Sequence, residues 1–335
     1  MRFSAFGYIL FVCAFLSSAC SGSNGTPDTP VPPEPAVNGV YKVKVELTGE
    51  TIPGSKEDRK GCLVSVVDEK GNEVLSSSGG IRLRGNGTKY LEKSPYDLKL
   101  DKKASVLGMP EDKRWVLLAN YLDRTSLRND VGLEIARRAE GMAWNPRGEF
   151  VNLYYDGKYG GLYFLCEKIK ISKHRVNIDE LTDQDVGEIV MCKDYNGPAS
   201  TYMYKSRGGR LFAGPIWDLD LYTFSKEVHD VNSFLLDGSV YYSALLKDSK
   251  FRNSVKEQWR KLKSNLESGY SIYDYIDSRS SLIKDDIALD DKLYPNRQYS
   301  LLAGDENVDF GTAVEMMKSF LKERIAALDK LIGLL

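Results

Sequence analysis

The chain has 335 residues, enough to bury a proper core, and a formal net charge of −1, so it carries no basic footprint of the kind that nucleic acid selects. Two histidines in the whole chain argue against His-based zinc sites and against a Ser-His-Asp triad. The five cysteines, Cys13, Cys20, Cys62, Cys166 and Cys192, show no C-x-x-C spacing, and for the last three buried free thiols are the expectation.

Residues 1–19 read as a secretory leader of the lipoprotein type: Arg2, an apolar run, then L-S-S-A ahead of Cys20. Cys20 is the expected lipidation site, which places the protein at a bacterial cell envelope, periplasmic or on the surface, and gives it the membrane as a partner through that anchor. Residues 20–38, rich in Pro, Gly and Ser and without apolar period, read as a flexible tether. A β-rich region is expected over 39–178. V-Y-K-V-K-V-E-L alternates cleanly, and the segment from Gly61 to Leu75 reads as two strands around a turn at Glu69–Asn72. Ile81–Arg84 and Tyr96–Leu100 alternate as well. Between them lies R-G-N-G-T, whose glycines permit a tight turn and close approach of a ligand.

Trp115–Ala119 is a continuous apolar run and reads as a buried strand. Ser126–Ala139 places Leu127, Val131, Ile135 and Ala139 at helical spacing, with Thr125 or Ser126 as cap. Phe150–Ile171 reads as a hairpin turning at Asp156-Gly157. Over 179–335 the expectation is a short hairpin ending in W-D-L-D, followed by helices from Ser243 onward. Asp218 and Asp220, at i and i+2 after an apolar run, would point to one face if the strand persisted, where both could reach one Mg²⁺. A surface turn with two solvated acids stays open.

The blocks R-L-R-G-N-G-T, K-S-P-Y-D-L-K-L-D-K-K, L-G-M-P-E-D-K-R-W-V-L-L-A-N-Y, L-R-N-D and G-G-L-Y-F-L-C-E-K-I with R-V-N-I occur in that order, followed by S-T-Y-M-Y-K and G-P-I-W-D-L-D. In that wording and order the chain resembles the spore-coat-protein-H (CotH) kinase family from about Val40 to Leu335. The resemblance implies an α+β, divergent protein-kinase-like two-lobe fold, with a β-rich N-terminal lobe and a helical C-terminal lobe. It implies ATP and Mg²⁺ as cofactors, and a Ser or Thr of a secreted or envelope protein as acceptor. It further implies that Lys99, inward on its strand, holds phosphates with Arg84, Gly85 and Asn86, and that Glu134 is a candidate partner for Lys99. Glu167 and Lys168 would line the nucleotide cleft, with Arg128 or Asn129 as the alternatives to Glu134. Asp218 and Asp220 would hold metal, Asp194 would orient the acceptor hydroxyl, and Asn196 would be a second metal ligand. The chain departs from the family in two places. Only 21 residues separate Ile178 from Ser200, and the bulky L-Y-T-F-S follows W-D-L-D. The alternative reading is therefore a kinase-like envelope lipoprotein without turnover, used to bind protein or glycan.

Overall fold

The computed structural model describes residues 39–49, 51–179, 190–191, 202–206, 208–227, 230–234 and 240–335. The leader, Cys20, the tether, Cys192, Asp194 and Asn196 lie outside the described residues.

Strands β1 (Tyr41–Leu47), β2 (Lys60–Val67), β3 (Glu73–Leu83), β4 (Tyr96–Val106), β5 (Met109–Leu118), β6 (Gly148–Tyr155) and β7 (Lys158–Glu167) form a closed barrel. All neighbours pair antiparallel except β1 and β6, whose parallel pairing (Val43 beside Leu153) closes the circle. Closure leaves no free sheet edge. The period-2 pattern sets which residues fill the barrel: Val43, Val45, Val64, Ile81, Leu98, Trp115, Leu117 and Leu153 are all buried in its interior cluster. The β6–β7 turn at Asp156-Gly157 has positive φ at both residues (45° and 76°), as a two-residue hairpin turn of this type requires.

The glycine-rich turn is longer than a tight hairpin. β3 and β4 pair from Leu83 beside Tyr96 onward, and the residues between them include a short 3₁₀ turn, Thr88–Tyr90. Helix α1 (Arg128–Arg138) begins two residues later than expected, and neither Thr125 nor Ser126 caps it by the ordinary geometry. Asp123 does that work instead, accepting from the backbone N–H groups of Thr125 (2.9 Å) and Arg128 (2.9 Å).

A small three-stranded sheet, β8 (Val190–Met191), β9 (Tyr202–Lys205) and β10 (Leu211–Ala213), precedes the helical part: α2 (Val240–Leu245), α3 (Ser249–Glu267), α4 (Ile272–Leu293) and α5 (Phe310–Gly333). A second apolar cluster joins α1, α3, α4 and α5 to the outer wall of β5–β7 through Val116, Phe150, Phe164 and Cys166. The architecture is thus mixed α+β, with a β-rich N-terminal region and a helical C-terminal part. Cys62 and Cys166 are buried free thiols, and burial raises them to about 11 and about 12. No helix among the described residues is long and apolar enough to cross a membrane.

Candidate active site

The strand ahead of W-D-L-D ends at Ala213, so Asp218 and Asp220 do not share a strand face. They lie in an irregular segment in which Asp218 has φ +70°. The start of α1 holds this segment by its backbone. Asn129 Oδ1 accepts from the Leu219 N–H (2.9 Å), between the two aspartates. Arg128 Nε donates to the Thr223 carbonyl (2.7 Å), just after them. Asn145 Oδ1 accepts from the Ile216 N–H (3.2 Å), just before them. Asn129 is itself fixed by donating to Asn120 Oδ1 (2.8 Å), and Asn120 donates to the Ser126 carbonyl (2.9 Å). Arg128, Asn129 and Asn120 are buried, so these hydrogen bonds form away from competing water. Such a scaffold fixes the backbone that carries the two carboxylates.

Asp218 is exposed and Asp220 half-buried. Burial, reinforced by the charges of Asp218 and Asp123, pushes the Asp220 carboxyl up to about 7, while Arg84 pulls the other way. Asp123 itself is committed to Arg128, whose other guanidinium nitrogen donates to Asp305 (2.6 Å). Arg84 extends from the end of β3 with its guanidinium carbon 5.3 Å from the centre of the Trp217 ring. It is thus the cation set beside the aspartate pair.

Residues 81–198 match the family model described as CotH kinase protein. The match supports membership of the CotH family. No curated protein matches the chain. The CotH segment contributes Arg84, Asn120, Arg128, Asn129 and Asn145, and the aspartates they surround lie downstream of it.

The expected site residues fall into three groups. Arg84, Asp218 and Asp220 come together as described. Gly85 forms the turn (φ +86°), and a Cβ there would sit 2.3 Å from the Thr88 hydroxyl oxygen. Asn86 is exposed and accepts from Lys56 (2.8 Å). Lys99 and Glu167 lie apart from the aspartate pair. Lys99 is exposed on the outer wall of the barrel, because the inward positions of β4 belong to Tyr96, Leu98 and Leu100. Its candidate partner Glu134 instead accepts from Arg137 (2.7 Å) and Arg138 (2.7 Å) on its own helix. Glu167 is fully buried and pairs with Arg147 through both carboxylate oxygens (3.1 Å each).

The aspartate pair fits a magnesium ion better than any all-protein cage. Among the described residues no three acidic, His or Cys side chains are grouped to hold a metal. Mg²⁺ takes one or two carboxylates and fills its other positions with water and phosphate oxygens. A carboxylate raised first by burial and then by its acidic neighbours would be relieved by a bound cation. The sign of the pH effect follows. The folded state holds an extra proton on Asp220 between the unfolded carboxylate value and about 7, so this stabilising contribution is present in acid and is lost as pH rises through 7. Asp220→Asn should therefore melt higher than the parent at pH 8 and level with it below pH 4. The gain at pH 8 should be at least ~1.4 kcal/mol, the equivalent of one pKa unit. Melting curves at the two pH values check this.

Proposed function

We propose that the chain is a CotH-type atypical kinase, transferring the γ-phosphoryl group of ATP to a Ser or Thr hydroxyl of a secreted or envelope protein with Mg²⁺ as cofactor. The observation that carries this reading is the aspartate pair, Asp218 and Asp220, on a segment whose backbone is fixed by three hydrogen bonds with the side chains of Asn145, Asn129 and Arg128. Phosphoryl transfer needs positioning and charge neutralisation more than covalent chemistry from the protein, and a rigid acidic pair beside one arginine supplies both.

In this reading Asp218 and Asp220 hold Mg²⁺, which neutralises phosphate oxygens when bound. Arg84 adds a second positive charge at the same place. Asp194, outside the described residues, takes the proton of the acceptor hydroxyl as its oxygen bonds to phosphorus and the bond from the γ-phosphorus to the departing ADP oxygen breaks. Asn196 is the proposed second metal ligand. The leader and Cys20 put the acceptor at the cell envelope.

The non-catalytic reading draws on one observation: the Lys99–Glu134 pair is not formed, since Lys99 is exposed and Glu134 is committed to Arg137 and Arg138. Transfer of labelled γ-phosphate from ATP to a generic Ser/Thr-rich acceptor decides between the two. The kinase reading expects Mg²⁺-dependent labelling that falls at least about tenfold in Asp218→Asn, the loss of ~1.4 kcal/mol of transition-state stabilisation. Labelling absent in the parent, or unchanged in the variant, contradicts it.

A further inference from the structure

The chain has a net charge of −1, but the charge is not spread evenly. Residues 244–270 cover the end of α2, all of α3 and the turn after it, and they hold seven basic side chains against three acidic ones. Buried Phe251, Val255, Trp259, Leu262 and Leu266 set the inner face of α3, which leaves the charged positions on its outer side. Three of the cations there have partners. Lys261 pairs with Glu140 (3.3 Å) and Glu257 (3.4 Å), Lys263 pairs with Asp329 (2.7 Å), and Arg252 donates to the Leu246 and Lys247 carbonyls (2.8 and 3.0 Å). Asp248 is engaged as the cap of α3, accepting from the Lys250 and Phe251 N–H groups. The side chains of Lys247, Lys250, Lys256 and Arg260 have no ion pair or hydrogen bond among the described residues.

Two further observations show what these four cations would meet. An open groove of about 670 Å³ runs along α3, lined by Lys256 and Arg260 with Asn253, Ser264 and Asn265, and its two acids are the Glu140 and Glu257 already tied to Lys261. Apolar side chains also stand exposed at both ends of the helix: Leu245 (43%) at the end of α2, close in sequence to Lys247 and Lys250, and Tyr270 (50%) in the turn that follows α3. The 19 residues of α3 between them span roughly 28 Å. Cations bracketed by an exposed leucine and an exposed tyrosine suit the boundary between lipid headgroups and acyl chains, where basic groups meet phosphates and apolar groups leave water. A soluble polyanion would use the cations and leave both apolar ends wet.

We propose that the α3 face is the side on which the protein lies against an anionic phospholipid membrane, with Lys247, Lys250, Lys256 and Arg260 on headgroup phosphates and Leu245 in the boundary beneath them. The expected lipid on Cys20 supplies the nearness: the 18 residues from Ser21 to Asn38 reach at most about 60 Å. The lipid then limits the distance, and the α3 face sets the orientation. The inference rests on the envelope reading of the leader and is independent of phosphoryl transfer.

The test is co-sedimentation with vesicles of phosphatidylcholine alone and of phosphatidylcholine mixed with phosphatidylglycerol. The chain from residue 20 onward, which holds every described residue, is used with Cys20→Ala so that no lipid attaches. It should bind the vesicles that contain phosphatidylglycerol, ignore the others, and come off as salt rises to about 1 M, where the screening length falls to about 3 Å. Lys256→Gln with Arg260→Gln should weaken the binding at least about tenfold, since each cation at an anionic surface contributes roughly a factor of five. This double variant should melt with the parent. The charge-matched Lys42→Gln with Lys44→Gln, exposed on β1, should leave the binding unchanged. Leu245→Ser should weaken vesicle binding about threefold and leave binding to soluble heparin as it was. The inference is overturned if the parent ignores phosphatidylglycerol, if the α3 double variant binds like the parent, or if the parent binds heparin but not the vesicles, which would point to an acidic macromolecule instead. Incorporation of labelled palmitate at Cys20 tests the envelope reading separately, so its failure and the failure of this inference are distinguishable.

Discussion

Arg128→Leu is expected to lower the melting temperature by on the order of 10 °C and to remove any response to Mg²⁺. Arg128 is fully buried between Asp123 and Asp305, both with almost no exposure, and it also donates to the Thr223 carbonyl (2.7 Å). Removing one partner of a buried ion pair costs roughly 3–5 kcal/mol, because the remaining charge stays buried without compensation. Each kcal/mol moves the midpoint of a 150–250-residue domain by about 2–4 °C, and that of a larger chain by roughly 2 °C. The leucine keeps much of the volume, so charge rather than a cavity dominates the loss. A pH series separates the two. Burial already raises the Asp305 carboxyl against the pull of Arg128. Without the arginine it rises further, and a protonated carboxyl tolerates burial. The deficit of the variant should therefore shrink as pH falls from 7 to 5, whereas a packing defect would not change.

Asp290→Ala is expected to destabilise by a similar amount, roughly 3–5 kcal/mol. Asp290 is fully buried on α4 and gathers three donors: Lys93 (2.8 Å), Arg297 (2.9 Å) and the Leu162 N–H of β7 (2.9 Å). It ties the barrel to the helical part. Burial pushes the Lys93 ammonium down to about 8, with Asp290 opposing the fall. Deleting Asp290 removes that opposition, and the amine sheds its proton more readily. A lysine whose folded value lies below its unfolded one gains stability as pH rises between the two. The deficit of Asp290→Ala should thus be largest near pH 6 and smaller at pH 9. Urea denaturation at both values measures it.

These two networks show which parts of the structure the sequence carried openly. Alternation along β1, β3 and β4 and the Asp-Gly turn were legible because backbone period and turn stereochemistry act within a few residues. Barrel closure was not, since the β1–β6 pairing joins residues more than a hundred positions apart. The blocks that resemble the CotH family have physical reasons that only the structure displays. In G-G-L-Y, Gly161 has φ +107°, and a Cβ there would lie 2.3 Å from an Asp290 oxygen. In K-S-P-Y-D, Lys93 meets Asp290 and Asp97 gathers Arg59, Arg114 and Lys168. In L-R-N-D, Arg128 and Asn129 hold the aspartate segment, while Asp130 receives Tyr275 (2.7 Å) and Arg279 (2.7 Å) of α4.

Of the candidate site, the aspartates were legible as residue types at a suggestive spacing, but not their support. The strand that was to align Asp218 and Asp220 stops at Ala213, and side chains from α1 and the turn after it replace it. Lys99 was singled out because it is a lysine on a strand after a glycine-rich turn. Its parity on β4 places it on the outer wall beside Asp97, and Lys168, just past the end of β7, reaches that same aspartate across the wall. A clustered cation is visible only once strands distant in sequence are laid side by side.

The measurement that tests the central claim most directly is calorimetric binding of ATP to the chain with and without Mg²⁺, repeated on Asp218→Asn. The account predicts binding that tightens with Mg²⁺ in the parent and loses that dependence in the variant. Binding indifferent to Mg²⁺ in the parent, or equally Mg²⁺-dependent in the variant, would contradict the assignment of Asp218 and Asp220 as the metal pair.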